Sequence, residues 1–323
     1  MTRGHHLIAC GLVLASACTR SVDITAAQVA GGPASLSKAP DVATIFSDGV
    51  ISDANEQWRL TFTPDGKTAY FAESPGFFPI TRQATIYVSD VVDGHWTEPS
   101  VAPFSGQHPD MDPFIAPNGQ RLYFSSIRPV NGTTRGDLDV WMVQRTSDGW
   151  GAPVRLGDEV NSAQDELYPS ASADGTIYFA SGPLFPQPGK HFDIYRAERS
   201  GSGFAPRVAL GPEINTLPSA SDPNLQSAWD FNPEISVDGK MLIFTSLRPG
   251  FGLGDLYVSH LRGGAWTNAE NLGPMVNTAS DEYHPTLSRD KRELYFVRRV
   301  PRRGDFYVIS TSVLEALQRS ARD

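Results

Sequence analysis

Four carboxylates recur at matched points along this 323-residue chain, Asp110, Glu166, Asp230 and Glu282, with Gln57 at a fifth matching point. Acids repeated at one structural position can do two kinds of work. Held open around an axis, a pair can act as acid and base on a glycosidic bond, one carboxyl having a raised pKa. Held against arginine or backbone amides, they brace neighbouring strands. Two residues after each comes a second polar set, Arg59, Asp112, Tyr168, Asn232 and His284. Five different side chains at one equivalent position cannot share one scaffolding task. They are expected either to surround an axial mouth as donors and acceptors for a polar ligand or to be solvated at a loop edge. Between the two sets stand Trp58, Met111, Leu167, Phe231 and Tyr283, all apolar or aromatic. Strand alternation predicts that both polar sets share one side and the apolar set faces the other.

The elements that position these residues are legible as a repeat. The phrases WRLTFTPDGKTAYF, DPFIAPNGQRLYF, YPSASADGTIYF, NPEISVDGKMLIF and HPTLSRDKRELYF share one pattern, with turn residues Asp65, Asn118, Asp174, Asp238 and Asp290 separated by 53, 56, 64 and 52 residues. Self-similarity at this scale announces a radial or linear array. Each unit supplies four strand-like segments; in the second they are Asp112–Ala116, Arg121–Ser125, Asp139–Arg145 and Ala152–Leu156. Asn118-Gly119 is a strong hairpin signal. A second turn followed by an aromatic recurs before Trp96, Trp150, Phe204 and Trp266. Small four-stranded units cannot bury their hydrophobic faces alone, but stacked around an axis they can. The fifth unit lacks a fourth strand, and Ala39–Ala43 resembles the fourth strand of the first unit. The segment Asp41–Phe46 is therefore expected to pair with the last sheet and close the ring, which covers two exposed edges. The fold class expected is all-β, a five-bladed propeller of four-stranded antiparallel blades.

The phrase Pro-x-x-Ser-x-Asp-Gly-x-x-(Ile/Leu)-Tyr-Phe-x-Ser, followed by Arg and then Asp-(Ile/Leu)-Tyr, resembles the PD40, or WD40-like, repeat of TolB-like propellers and exported bacterial lipoproteins. Here it is carried by Ser246-Leu247-Arg248-Pro249 with Asp255-Leu256-Tyr257, by Asp193-Ile194-Tyr195 and by Asp305-Phe306-Tyr307. TolB itself has six such blades and an additional N-terminal domain, both absent here, so a role in the Tol–Pal system does not carry over. The recurring Asp139, Asp193, Asp255 and Asp305 are expected to be structural, paired with Arg128, Arg248 or backbone amides.

Residues 1–17 read as a signal peptide: Arg3, His5 and His6 precede the apolar run Leu7–Ala17, too short to span a bilayer. Ala15-Ser16-Ala17 before Cys18 resembles a lipobox, with Ala15 where Leu is usual, so Cys18 is the expected lipidation site. Residues 18–38 read as a flexible tether and 39–323 as one propeller domain. The expected location is the periplasm or cell envelope, anchored to the outer membrane, with membrane contact through the lipid alone. The mature chain then has no cysteine pair, and burial must hold it together. A net charge of −9 and a pI near 5.3 argue against nucleic-acid binding.

Function is expected on the face opposite the Asp-Gly turns. Loops there bring Phe77, Phe78 and Arg82, then Arg128 and Arg135, then four arginines within Arg298–Arg303, and Leu217–Ala228 has the length of a lid. An acidic throat inside aromatic and arginine residues suits a protein, a glycan or a peptidoglycan-like polymer. The alternative is a glycoside hydrolase or lyase using Asp112, Glu166, Asp230 and Glu282. No nucleophile elbow, phosphate loop or dinucleotide fingerprint occurs, and no cofactor is expected. His108, Asp110 and Asp112 alternate, but no zinc-ligand spacing is present and no metal is expected. A closed ring needs no partner, so a monomer is consistent.

Overall fold

A computed structural model describes residues 39–184, 187, 190–218, 226–300 and 303–314. The five repeats become five antiparallel sheets. Their inner strands are Glu56–Phe62, Asp110–Ile115, Asp165–Ala171, Asp230–Ile235 and Asp281–Leu287, and each begins a meander of consecutive strands. This is a five-bladed β-propeller. Ring closure follows the expectation from the sequence. Thr44 and Ile45 pair with Val308 and Tyr307 of the last blade's third strand, Gly304–Ser310. Two further backbone bonds lengthen the seam, Phe46 N to Phe306 O at 2.8 Å and Ser310 N to Pro40 O at 2.7 Å. Phe46 then packs edge-on against Phe62, Trp96 and Tyr295, so the closing segment is buried as well as paired.

The turn chemistry recurs because one short motif solves the same problem five times. The side-chain oxygens of Asp65, Asp174, Asp238 and Asp290 each accept a bond from the Ser or Thr hydroxyl two residues earlier and from the amide two residues later. These bonds favour the ionised carboxylate. Asp238, also bonded by Lys291 of the next blade, is held at about 2 against its burial. The following residue needs a left-handed backbone. Glycine supplies it four times, but the fifth turn uses Lys291 at φ 59°.

Behind the turns, the second-strand Phe of every blade is fully buried, and in four blades it stacks on the third-strand aromatic. Phe179 meets Tyr195 at 6.1 Å, Phe244 meets Tyr257 at 6.2 Å and Phe296 meets Tyr307 at 5.9 Å. The aromatic after the second turn joins blades: Trp150 donates to the Tyr70 hydroxyl of the preceding blade at 2.9 Å, and Trp266 packs edge-on against Tyr178.

Two expectations need adjusting. The fourth strands are only two residues long, Val154–Arg155 in place of Ala152–Leu156, because the third strand also pairs with a separate short strand at Gly149–Trp150. The sequence also predicts a short terminal helix over Ser312–Arg322, almost all of which lies outside the described residues; Thr311–Val313 form one 3₁₀ turn capped by Ser310. A further repeat escaped the sequence reading, Leu-Gly-x-x-(Val/Ile)-Asn at Leu156, Leu210 and Leu272. Its Asn161, Asn215 and Asn277 hold both backbone groups of a third-strand residue and pin the blade-to-blade crossing.

Candidate binding site at the mouth of the propeller

The five heterogeneous polar residues share an uncommon backbone. Arg59, Asp112, Tyr168, Asn232 and His284 all have positive φ, between 29° and 60°. At each, the pairing of inner and second strands slips by one residue, so each sits in a β-bulge. In four blades proline follows and cannot donate to the ladder, which favours the break there. The bulge corrects the predicted alternation. It turns two consecutive residues toward the same opening, so Trp58, Met111, Phe231 and Tyr283 line one cavity together with Tyr168, Asn232 and His284.

The repeated acids lie elsewhere. Asp110, Glu166, Asp230 and Glu282 are fully buried, and the cavity lining does not include them. Each is bound by an arginine: Arg128, Arg207 and Arg248 at 2.7 Å, Arg298 at 2.8 Å. Every one of these arginines also donates to a carbonyl of the incoming crossing, Phe104, Val160, Ile214 or Val276. Each guanidinium lies over a blade aromatic, for example 4.7 Å above Tyr257 for Arg248. Backbone amides add to the hold on Glu166, Asp230 and Glu282, from Ser162, Thr216 and Thr278. Burial raises the carboxyls of Asp110, Glu166 and Glu282, and these bonds oppose it. The set therefore forms four clamps rather than an open ring. In the first blade Gln57 bonds Asp53 instead.

The clamps also correct the arginine partners expected for the recurring Asp139, Asp193 and Asp305, whereas Asp255 has the backbone amides expected of it. With Arg128 and Arg248 engaged, Asp139 takes Arg155 at 2.8 and 3.0 Å, Asp193 lies 3.4 Å from His191, and Asp305 meets Arg303. Asp255 accepts from the Phe251 and Gly252 amides and from Asn271.

Along the axis a polar plug separates two openings. The Arg59 guanidinium crosses from the first blade to the Glu234 carboxylate of the fourth, donates to Pro233 O, and lies 5.4 Å from the Phe114 ring. Glu234 was not singled out from sequence, although it is the one carboxylate among Thr61, Phe114, Ser170, Glu234 and Thr286, the residues two positions beyond the bulges. Asp112 is fully buried and neither of its oxygens has a well-formed hydrogen bond. Burial lifts its carboxyl to about 7 against the opposing pull of Arg59, the Ser125 hydroxyl and the Tyr168 amide. His284 Nδ1 stands 3.8 Å from Asp112 Oδ1 and 3.2 Å from Asn232 Nδ2. Burial drives the His284 pKa well below its usual range, with Arg59 adding to the effect, so the ring is neutral.

On the turn face the plug floors a cavity of about 190 Å³ edged by the Asp-Gly turns. On the mouth face it floors a cup of about 530 Å³ whose walls include Trp58, Phe77, Phe192, Trp229, Phe231 and Tyr283. Of the five predicted ligand residues, Tyr168, Asn232 and His284 line this cup, while Arg59 and Asp112 belong to the plug beneath it. Trp229, Phe192 and Asp281 were missed. Trp229 and Asp281 occupy the position just before the repeated acid, where the five residues Glu56, Pro109, Asp165, Trp229 and Asp281 differ as much as the bulge set does.

The loop arginines do not form a free gripping ring. Arg82 donates to Gly136 O and lies over Phe78, and Arg135 pairs with Asp137. Arg299 lies 3.1 Å from Glu56 and 4.5 Å over Phe77. The proposed lid Leu217–Ala228, the arginine run 298–303, the leader and Cys18 fall partly or wholly outside the described residues. No cluster of three His, Cys, Asp or Glu groups with metal-binding geometry occurs among the described residues.

No family model matches the chain, and no curated protein matches it. Solved structures do. The endo-arabinase from Bacteroides thetaiotaomicron VPI-5482 aligns at a TM-score of 0.51 and 13% identity, over 79% of this chain and 93% of that one. The alpha-L-arabinofuranosidase from Lactobacillus brevis gives 0.50 and 12%, over 79% and 90%. TolB from Acinetobacter baumannii gives 0.49 and 15%, over 81% of this chain, which spans 53% of that protein. At these identities the likeness is one of fold. The shared feature is the β-propeller. Among the described residues no helix is long and apolar enough to cross a membrane.

Proposed function

We propose that this chain is an exported, lipid-tethered propeller that acts as a binding module, taking part of a glycan, cell-wall polymer or protein into the mouth-face cup. The observation that carries this reading is the cup itself: an aromatic-walled cavity of about 530 Å³ over a fixed polar floor, within the size range of small-molecule sites. The export and tether rest on the leader and Cys18 alone.

The competing reading, a carbohydrate-active enzyme, draws on the glycosidases among the fold neighbours, a fold-level analogy only. It requires two carboxyls about 5–10 Å apart in an open pocket. Glu166, Asp230 and Glu282 are instead buried against arginines, and Asp112 lies under the floor. That arrangement favours binding over hydrolysis.

The test is a panel of polysaccharides, peptidoglycan fragments and envelope proteins, scored for both retention and product release. Wild type should retain at least one ligand without cleaving it, and Trp58→Ala with Phe231→Ala should abolish retention. Retention untouched by both changes would place binding elsewhere, and released product would make the chain an enzyme. Cys18→Ser should block incorporation of labelled palmitate; undiminished labelling would refute the tether.

A further inference from the structure

The polar groups on the cup's surface narrow what it can hold. Asn232 Oδ1 accepts from the Thr245 hydroxyl at 3.1 Å and from the His284 amide at 3.3 Å. Its Nδ2 is thereby turned to His284 Nδ1, 3.2 Å away. Nδ1 must accept, so the proton of this neutral imidazole sits on Nε2, which has no partner among the described residues. The Tyr168 hydroxyl, in the same lining, makes no hydrogen bond among the described residues, whereas Trp229 Nε1, though unpaired, is closed off from solvent. Two groups able to donate, the Tyr168 hydroxyl and His284 Nε2, thus line the cup unpaired, and neither is charged. Of the two charged residues in the lining, Asp281 accepts from the Gly254 amide at 3.0 Å, and Arg299 has its Nε 3.1 Å from a Glu56 carboxylate oxygen.

An apolar side chain filling this space would seal two donors away from water, each costing roughly 1–3 kcal/mol. An anion would have to draw Arg299, the one cation among the lining residues, away from Glu56. A neutral sugar meets both conditions: its C–H face lies on aromatic rings while its oxygens accept hydrogen bonds. Resting on the reading of the cup as the ligand site, we propose that it holds one neutral pyranose unit, its oxygens accepting from Tyr168 and His284 and its ring packed on Trp58, Phe231 or Tyr283.

The experiment is titration of the intact chain, followed by tryptophan fluorescence and calorimetry, with oligosaccharides of N-acetylglucosamine, glucose and galacturonate and with a short neutral peptide carrying Leu and Phe. At least one neutral saccharide should bind at least about 10-fold tighter than galacturonate or the peptide, the loss expected when buried groups go unpaired. Tyr168→Phe keeps the ring and removes only the hydroxyl, and should weaken that saccharide about 5–10-fold. Phe231→Ala should weaken it by a similar factor, with unchanged circular dichroism in both variants. Tighter binding of galacturonate or the peptide, lost in Phe231→Ala, would overturn the sugar assignment while leaving the cup as the site. Saccharide binding unaffected by either change would overturn the cup as the site. Absence of saccharide binding at millimolar concentration would overturn the proposal outright.

Discussion

Asp112→Asn should make the propeller more stable, by an amount that grows with pH. In the folded chain burial holds this carboxyl at about 7, against an ordinary value of 3.8. The unfolded chain releases the proton near pH 4, whereas the folded chain retains it until near 7. Across that window the folded state binds more protons, so stability falls as pH rises. The gap is about 3 pKa units, and at 1.36 kcal/mol per unit the ionised Asp112 costs roughly 4 kcal/mol above pH 7. Asparagine has the same shape and no charge, and the Arg59–Glu234 pair that it adjoins stays intact. Urea unfolding of wild type and variant, followed by tryptophan fluorescence from pH 4.5 to 8.5, isolates this group because the other buried acids are common to both proteins. The curves should nearly coincide at the acid end and separate by several kcal/mol at pH 8. A separation that does not change with pH, or a variant less stable at pH 8, would show that the carboxylate is compensated in solution and that the plug is not dry.

Arg248→Met leaves Asp230 buried with its main partner gone and should cost about 3–5 kcal/mol, measured as a shift in urea midpoint. The double variant with Asp230→Leu should recover much of that loss, and a failure to do so would argue against the clamp. Phe46→Ala removes an aromatic contacting three rings at the seam and should cost about 3–5 kcal/mol, with faster amide exchange in Gly304–Ser310. Exchange that stayed slow there would mean the seam holds without it. Lys291→Gly relieves a left-handed non-glycine residue at the cost of a part-exposed pair with Asp238, and should stabilise by less than about 1 kcal/mol in thermal melts.

The strands, the turns and the closing segment were all legible in the chain, because each depends on local patterns repeated five times: alternation, Asp-Gly turns and the Tyr-Phe pair. Repetition also located the two polar sets and singled out the heterogeneous one. Their roles were not legible, because alternation assumes an unbroken ladder. One extra residue at Arg59, Asp112, Tyr168, Asn232 and His284 reverses which neighbours share a face, and a slip in pairing exists only once the second strand is in place. The partners of the buried charges were hidden for a related reason. Arg59 meets Glu234 across the ring, 175 positions away in sequence, and nothing local in either segment marks the match. The chain by itself determined a five-fold closed ring and which of its positions vary. Only tertiary packing decided that the acids brace the blades while aromatic residues and a neutral histidine line the opening, since burial and distance settle which charges must be neutralised.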